Sequence, residues 1–171
     1  MNKTRWVLSF AMLLAAVVPI VAQDDAAKAR AAAGCGLSNE MFDVQKADKH
    51  PVGQVENGKA LVYFFTDFDT APTMRLGVDG KWVGANDGRS YFFFQVDPGE
   101  HSLCTDWQTG TFKKTSQRIG EAMRLNVEAG KTYYLRLTFG YQRLRLELAD
   151  EAEGNFLISS PQFATSQPKK K

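Results

Sequence analysis

Few side chains in this sequence are of a type and spacing that could do chemistry. Cys35 and Cys104 are its only cysteines, and His50 and His101 its only histidines. An even cysteine count in an exported chain favours a disulfide. Such a bond would close a loop of ~69 residues and stabilise the fold by roughly 4 kcal/mol on chain-entropy arithmetic. Two unpaired thiols are the alternative, because spacing alone does not bring two Cβ atoms together. A nucleophilic cysteine would want a partnering base, and no such signature surrounds either residue. Zinc needs three or four ligands at recognisable spacing. The histidines lie far apart without companions, so no metal and no cofactor is expected. Asp67 and Asp69, in Thr66-Asp67-Phe68-Asp69-Thr70, have the look of paired carboxylates for acid–base work or calcium. After a strand, however, Asp and Thr more often make local turn hydrogen bonds.

The aromatic residues offer a different chemistry. Trp107 lies in a polar stretch, and Tyr134 falls on the outward register beside Arg136. Together they are candidate ligand contacts, able to stack a sugar or an apolar molecule, with Trp82 and Tyr141 as further aromatics. Packing across strands is the commoner use of such rings. The chain has no phosphate-cradling glycine loop, no Gly-x-Ser-x-Gly elbow and no dinucleotide fingerprint. No catalytic residue is assigned. An enzyme of unrecognised type would require Asp67, Asp69 and His101 to converge in one pocket.

The compartment follows from the first residues. Lys3 and Arg5 precede an apolar run over residues 6–18, closed by Pro19-Ile20-Val21-Ala22 and a polar Gln23-Asp24-Asp25. This is the pattern of a secretory signal peptide over residues 1–22. An uncleaved anchor is the alternative, but the run sits at the lower limit for crossing a bilayer. The chain carries 21 Lys+Arg against 19 Asp+Glu. Lys3 and Arg5 account for the whole excess, so the mature chain is neutral and no global field attracts nucleic acid. Ala32-Ala33-Gly34-Cys35 looks like a lipobox, yet Asp24, Asp25, Lys28 and Arg30 separate it from the hydrophobic run. The expected location is periplasmic or secreted, with no transmembrane helix after cleavage.

The elements that must position these residues read as strands. Residues 23–57 form an Ala-rich linker and irregular lead-in. Ala60–Thr66 is β-branched and aromatic, buried on at least one face. Met74, Leu76 and Val78 alternate with Arg75, Gly77 and Asp79, and Asp79-Gly80 is a type I′ hairpin signal. Residues 81–84 return. Residues 90–96 follow, then the turn Asp97-Pro98-Gly99-Glu100 and residues 101–106, where His101 is expected to make a turn hydrogen bond. Three more alternating strands carry Met123, Leu125 and Val127; Tyr133, Leu135, Leu137 and Phe139; and Leu144, Leu146 and Leu148. One oily and one charged face suit a sheet packed on one side. A short helix is compatible with residues 150–158, and residues 159–171 read as a disordered basic tail. The pattern predicts a mainly β protein: one antiparallel β-sandwich of about seven strands over residues 58–158, of immunoglobulin-like or transthyretin-like proportions, with a barrel as runner-up.

The ordered motifs also carry a family resemblance. Ala60-Leu61-Val62-Tyr63-Phe64 is followed by Val78-Asp79-Gly80-Lys81 with Val83-Gly84. Then come Ser90-Tyr91-Phe92, Val96-Asp97-Pro98-Gly99-Glu100-His101 and Glu128-Ala129-Gly130-Lys131-Thr132-Tyr133-Tyr134. Over roughly residues 58–155 this resembles the bacterial family catalogued as domain of unknown function 2846. More loosely, it is similar to β-sandwich modules named for a Pro-Glu-Gly-Ala motif. The resemblance implies a secreted or lipid-anchored envelope protein with a β-sandwich fold and no established activity, and it supplies no catalytic residues. The expectation is a non-catalytic, exported envelope module binding an unknown protein or glycan partner. A carbohydrate- or small-ligand-binding domain using exposed aromatics is the alternative.

Overall fold

The computed structural model describes residues 35–36, 40–69, 72–108, 121–140 and 143–170. The signal-like segment 1–22, most of the Ala-rich stretch and Tyr141 lie outside the described residues. Ten strands and one helix are described: β1 Phe42–Ala47, β2 Ala60–Thr66, β3 Met74–Val78, β4 Lys81–Asn86, β5 Ser90–Val96, β6 Gly99–Trp107, β7 Glu121–Val127, β8 Thr132–Gly140, β9 Arg143–Ala149, α1 Glu151–Ile158 and β10 Gln162–Pro168. They form a six-stranded sheet in the order β1-β10-β5-β2-β8-β9 and a four-stranded sheet in the order β4-β3-β6-β7. The inner faces pack on each other through Val62, Phe64, Met74, Leu76, Leu103, Leu125, Leu135, Leu137, Leu144 and Leu146. Those on β3, β7, β8 and β9 are alternating positions that sequence assigns to the oily face; Val62, Phe64 and Leu103 join them.

Three expectations change. The sandwich has ten strands rather than about seven. β1 falls in the stretch read as an irregular lead-in, and β10 in the stretch read as a disordered tail. The two pair antiparallel over six positions, from Phe42 opposite Pro168 to Ala47 opposite Phe163. Neither carries a strong apolar alternation, because each is stabilised by a partner more than a hundred residues away.

The larger sheet is also mixed rather than antiparallel. β2 runs parallel to β8 over six pairs, and β10 parallel to β5 over two. Finally, that sheet is covered on both faces. Residues 50–56 and α1 lie across its outer side, over a second cluster of Leu61, Tyr63, Phe65, Tyr91 and Tyr134. This explains why every residue of β2 is buried. A strand covered on both faces reads as a continuous apolar run.

The local signals that set the turns are the ones realised. Asp79 and Gly80 have φ of 49° and 81°, the left-handed pair a type I′ turn demands. Asp150 caps α1, its side chain accepting from the Glu153 N–H.

Candidate functional site

Cys35 and Cys104 are disulfide-bonded, with Cα atoms 5.4 Å apart. Cys104 faces outward on β6, opposite Gly77 of β3. The described residues at 35–42 thus strap the outer face of the smaller sheet. Gly77 is where the strap lies flat: a Cβ there would press into the Cys35 backbone, with its carbonyl carbon at 3.2 Å. Gly36 has φ +105° and tucks under the Trp82 ring. Trp82 in turn covers the Arg75 guanidinium, 4.2 Å from ring centroid to Cζ.

Arg75 is only 2% exposed. It donates to the Asp106 carboxylate at 3.1 Å and to the Glu40 carbonyl of the strap. A buried ion pair of this kind is satisfied by geometry and further hydrogen bonds rather than by charge alone. The Gln108 amide completes the fastening. It accepts from the Phe42 N–H at 2.6 Å and donates to the Phe42 carbonyl at 2.7 Å.

The two aromatic candidates are not brought together. Tyr134 does face away from the inter-sheet core, but that face is no longer open. Tyr134 is 5% exposed, stacked on Tyr63 with centroids 5.1 Å apart, and lies beneath Gly154 of α1. Its expected role as a ligand contact is therefore corrected, and the cause is the helix that follows β9. Trp107 points inward at the other extreme of the fold, where β2, β6 and β8 end. Its ring lies 6.5 Å from that of Phe139, which is 52% exposed. Phe68 packs beside this end of the core. Among the described residues, the Trp107 indole Nε1 and the Thr105 hydroxyl are buried there without a hydrogen-bond partner. Such groups are rare in a finished core and each calls for an explanation. Sequence reasoning treated Phe139 as core. Its place next to Gly140, at the end of the alternation, was the signal that it reaches the rim.

Asp67, Asp69 and His101 do not converge either. Asp67 follows Thr66 and binds Arg136, which also holds Glu153 of α1 at 3.0 Å. His101 sits beside the other end of β2, near Asp97, which follows the Val96 that pairs with Ala60. Six strand steps of about 3.3 Å separate those ends. His101 joins two turns: Nδ1 contacts Asp79 Oδ2 at 2.6 Å and Nε2 the Asp97 carbonyl at 2.7 Å. Both partners are acceptors, so only the imidazolium satisfies the arrangement by donating from both nitrogens. Among the described residues, no three His, Cys, Asp or Glu gather as a metal site.

This clamp predicts a pH dependence. Burial opposes protonation of His101, but the hydrogen bonds to Asp79 and Asp97 outweigh it and raise its pKa. The His101 hydrogen bond lowers the Asp79 pKa. A raised histidine pKa gives stability that is fully present below the unfolded value near 6.5 and is lost as pH rises through the folded value. The lowered Asp79 pKa gives stability above the ordinary carboxylate value that fades as pH falls through the folded one. The melting temperature is therefore expected to decline as pH rises past the His101 titration. In His101→Gln that decline should disappear, as thermal melts at stepped pH would show.

Among the described residues no helix is long and apolar enough to cross a membrane. No solved structure matches the chain. An uncharacterized protein of Haemophilus influenzae is 26% identical over 117 residues, which cover 65% of this chain and 64% of that protein. The chain thus spans less than two thirds of that relative's length. Residues 56–144 match the family described as "Protein of unknown function (DUF2846)". That stretch holds the core strands β2 to β8, the Asp79–His101 clamp and both rim aromatics, and by it the chain belongs to the DUF2846 family.

Proposed function

We propose that this chain is a non-catalytic, exported β-sandwich module of the cell envelope that binds a glycan or protein partner through the rim formed by Trp107 and Phe139. The observation that carries the reading is Phe139, half exposed beside Trp107 where three strands end. Aromatic faces held on a rigid scaffold give large contact area at small entropic cost. Two features support export: the signal-like residues 1–22 and a disulfide, which persists in oxidising compartments. A non-catalytic role is supported by the dispersal of the ionisable groups. Asp67 is engaged with Arg136 and His101 with Asp79, at opposite ends of β2.

Co-sedimentation of the mature protein with purified peptidoglycan sacculi, and titration with envelope oligosaccharides, tests the reading. Phe139→Ala is expected to weaken binding roughly tenfold, as loss of a contact hot spot does, while leaving the melting temperature close to that of the parent. Binding that ignores Phe139→Ala would overturn the rim as the contact surface. N-terminal sequencing of the protein recovered from the periplasm or medium should begin at Gln23.

A further inference from the structure

The outer covering of the larger sheet displays two apolar side chains whose chain neighbours are tied down by hydrogen bonds. Val52 is 81% exposed and Phe156 76% exposed. Val52 stands between two residues fixed from below. The Tyr91 hydroxyl donates to the Pro51 carbonyl at 3.3 Å, and the Gly53 N–H donates to the Tyr63 hydroxyl oxygen at 2.8 Å. Phe156 follows Asn155, whose side-chain oxygen accepts from the Tyr134 hydroxyl at 2.8 Å. Tyr63 and Tyr134 stack on each other, so the hydrogen bonds that anchor Gly53 and Asn155, next to these two side chains in sequence, come from neighbouring rings.

Charge is distributed unevenly along this face. α1 begins with exposed Asp150 and Glu151 after Ala149, which pairs with Tyr134. It ends toward Ser160, whose hydroxyl accepts from exposed Arg89 at 2.9 Å. Exposed Lys49 lies at that same end, next to the His50 ring stacked on Tyr91. One end of the patch thus carries Asp150 and Glu151 and the other Arg89 and Lys49, where the one exposed carboxylate beside Lys49, Asp48, is engaged by the Gln162 amide at 2.7 Å; a helix of about 12 Å at 1.5 Å per residue separates them. A surface with this layout is complementary to itself when turned by a two-fold axis through its middle. That operation sets α1 antiparallel to its counterpart, brings the apolar side chains together and places Glu151 of one copy near Arg89 and Lys49 of the other.

We propose that this face docks a second copy of the chain as a two-fold dimer, with Val52 and Phe156 as its apolar centre and the Glu151–Arg89 pairing fixing its register. Tied-down chain neighbours lower the ordering cost of association, and complementary charge selects the orientation. The surface is separate from the Trp107 rim.

Sedimentation velocity of the full mature chain over a range of concentrations is the test. A concentration-dependent dimer is expected, weakened by added salt and weakened roughly tenfold or more by either Phe156→Glu or Val52→Glu. Glu151→Arg and Arg89→Glu should each weaken the dimer, and their combination should restore it. Circular dichroism melts confirm that these exposed substitutions leave the fold in place. A chain that stays monomeric into the millimolar range overturns the proposal. So does a dimer indifferent to Phe156→Glu, or a charge-swapped pair that fails to recover. Phe139→Ala should leave the dimer unchanged, which separates this outcome from that of the binding experiment.

Discussion

Replacing Gly77 with alanine is expected to leave Cys35 and Cys104 unbonded and to destabilise the domain by about 4 kcal/mol, the value of the loop closure that is lost. Gly77 lies in the middle of β3, where a side chain would normally cost nothing and could even aid a strand. Its Cβ, however, would enter the space of the Cys35 carbonyl, a backbone group with no rotamer to yield. The strap must then lift. Lifting it separates the sulfurs, removes the Glu40 carbonyl from Arg75 and opens the Arg75–Asp106 pair to water. Thiol labelling under native conditions should count two reactive cysteines in Gly77→Ala and none in the parent. Urea unfolding should show a midpoint close to that of Cys35→Ser. A substituted protein with blocked thiols and the parental midpoint would show that the strap tolerates a methyl group.

The same contact bears on how the chain is held in its compartment. Ala32-Ala33-Gly34-Cys35 offers a cysteine at the place a lipoprotein would modify. A sulfur committed to Cys104 cannot also carry a thioether-linked lipid. The disulfide and lipid anchoring at Cys35 are thus mutually exclusive, and the sealed strap favours the former. Intact mass before and after reduction distinguishes them directly.

What was legible in the sequence was whatever is enforced within a few residues. The period-two alternation of β3, β7, β8 and β9 named the face that turns inward, because side-chain direction in a strand is a local property, but not where that face leaves the core: Phe139 and Leu148 are half exposed. Asp79-Gly80 gave its turn for the same reason. The Gly77 strap had a readable trace as well: an isolated glycine inside a strand marks close approach of another backbone. What approaches cannot be read there, since Cys35 is more than forty residues away.

The illegible parts are those decided at long range. β1 and β10 stabilise each other across the length of the chain. Tyr134 keeps the register that alternation assigns, yet α1 returns to cover it, and nothing in the strand announces that helix. The two candidate contacts were chosen from local pattern alone, and long-range packing decided their surroundings: Trp107 turns inward beside the exposed Phe139 ring, whereas Tyr134 became the floor of a second core.

That second core yields a prediction in which two familiar rules oppose each other. Gly154 sits inside α1, and alanine there should gain about 1 kcal/mol from helix propensity. The added methyl, though, would land on the Tyr134 ring, within 2.5 Å of Cδ1. The ring has no room to retreat, because it is stacked against Tyr63 below and its hydroxyl is tied to Asn155. Overpacking of a fixed ring costs toward the upper part of the usual range, about 3 kcal/mol. The contact therefore outweighs the propensity, and Gly154→Ala is expected to be destabilising by roughly 2 kcal/mol. Exposed Ala152 calibrates the first rule: Ala152→Gly should lose about 1 kcal/mol with no other consequence. A second readout follows the ring itself. Burial, with Tyr63 and Glu151 nearby, raises the Tyr134 pKa above its ordinary 10.0. When α1 lifts in Gly154→Ala, one phenol should titrate nearer that ordinary value, while Tyr91, pushed up to about 12 chiefly by burial, should hold. A higher melting temperature for Gly154→Ala would mean that propensity governs this helix and that it does not press on Tyr134.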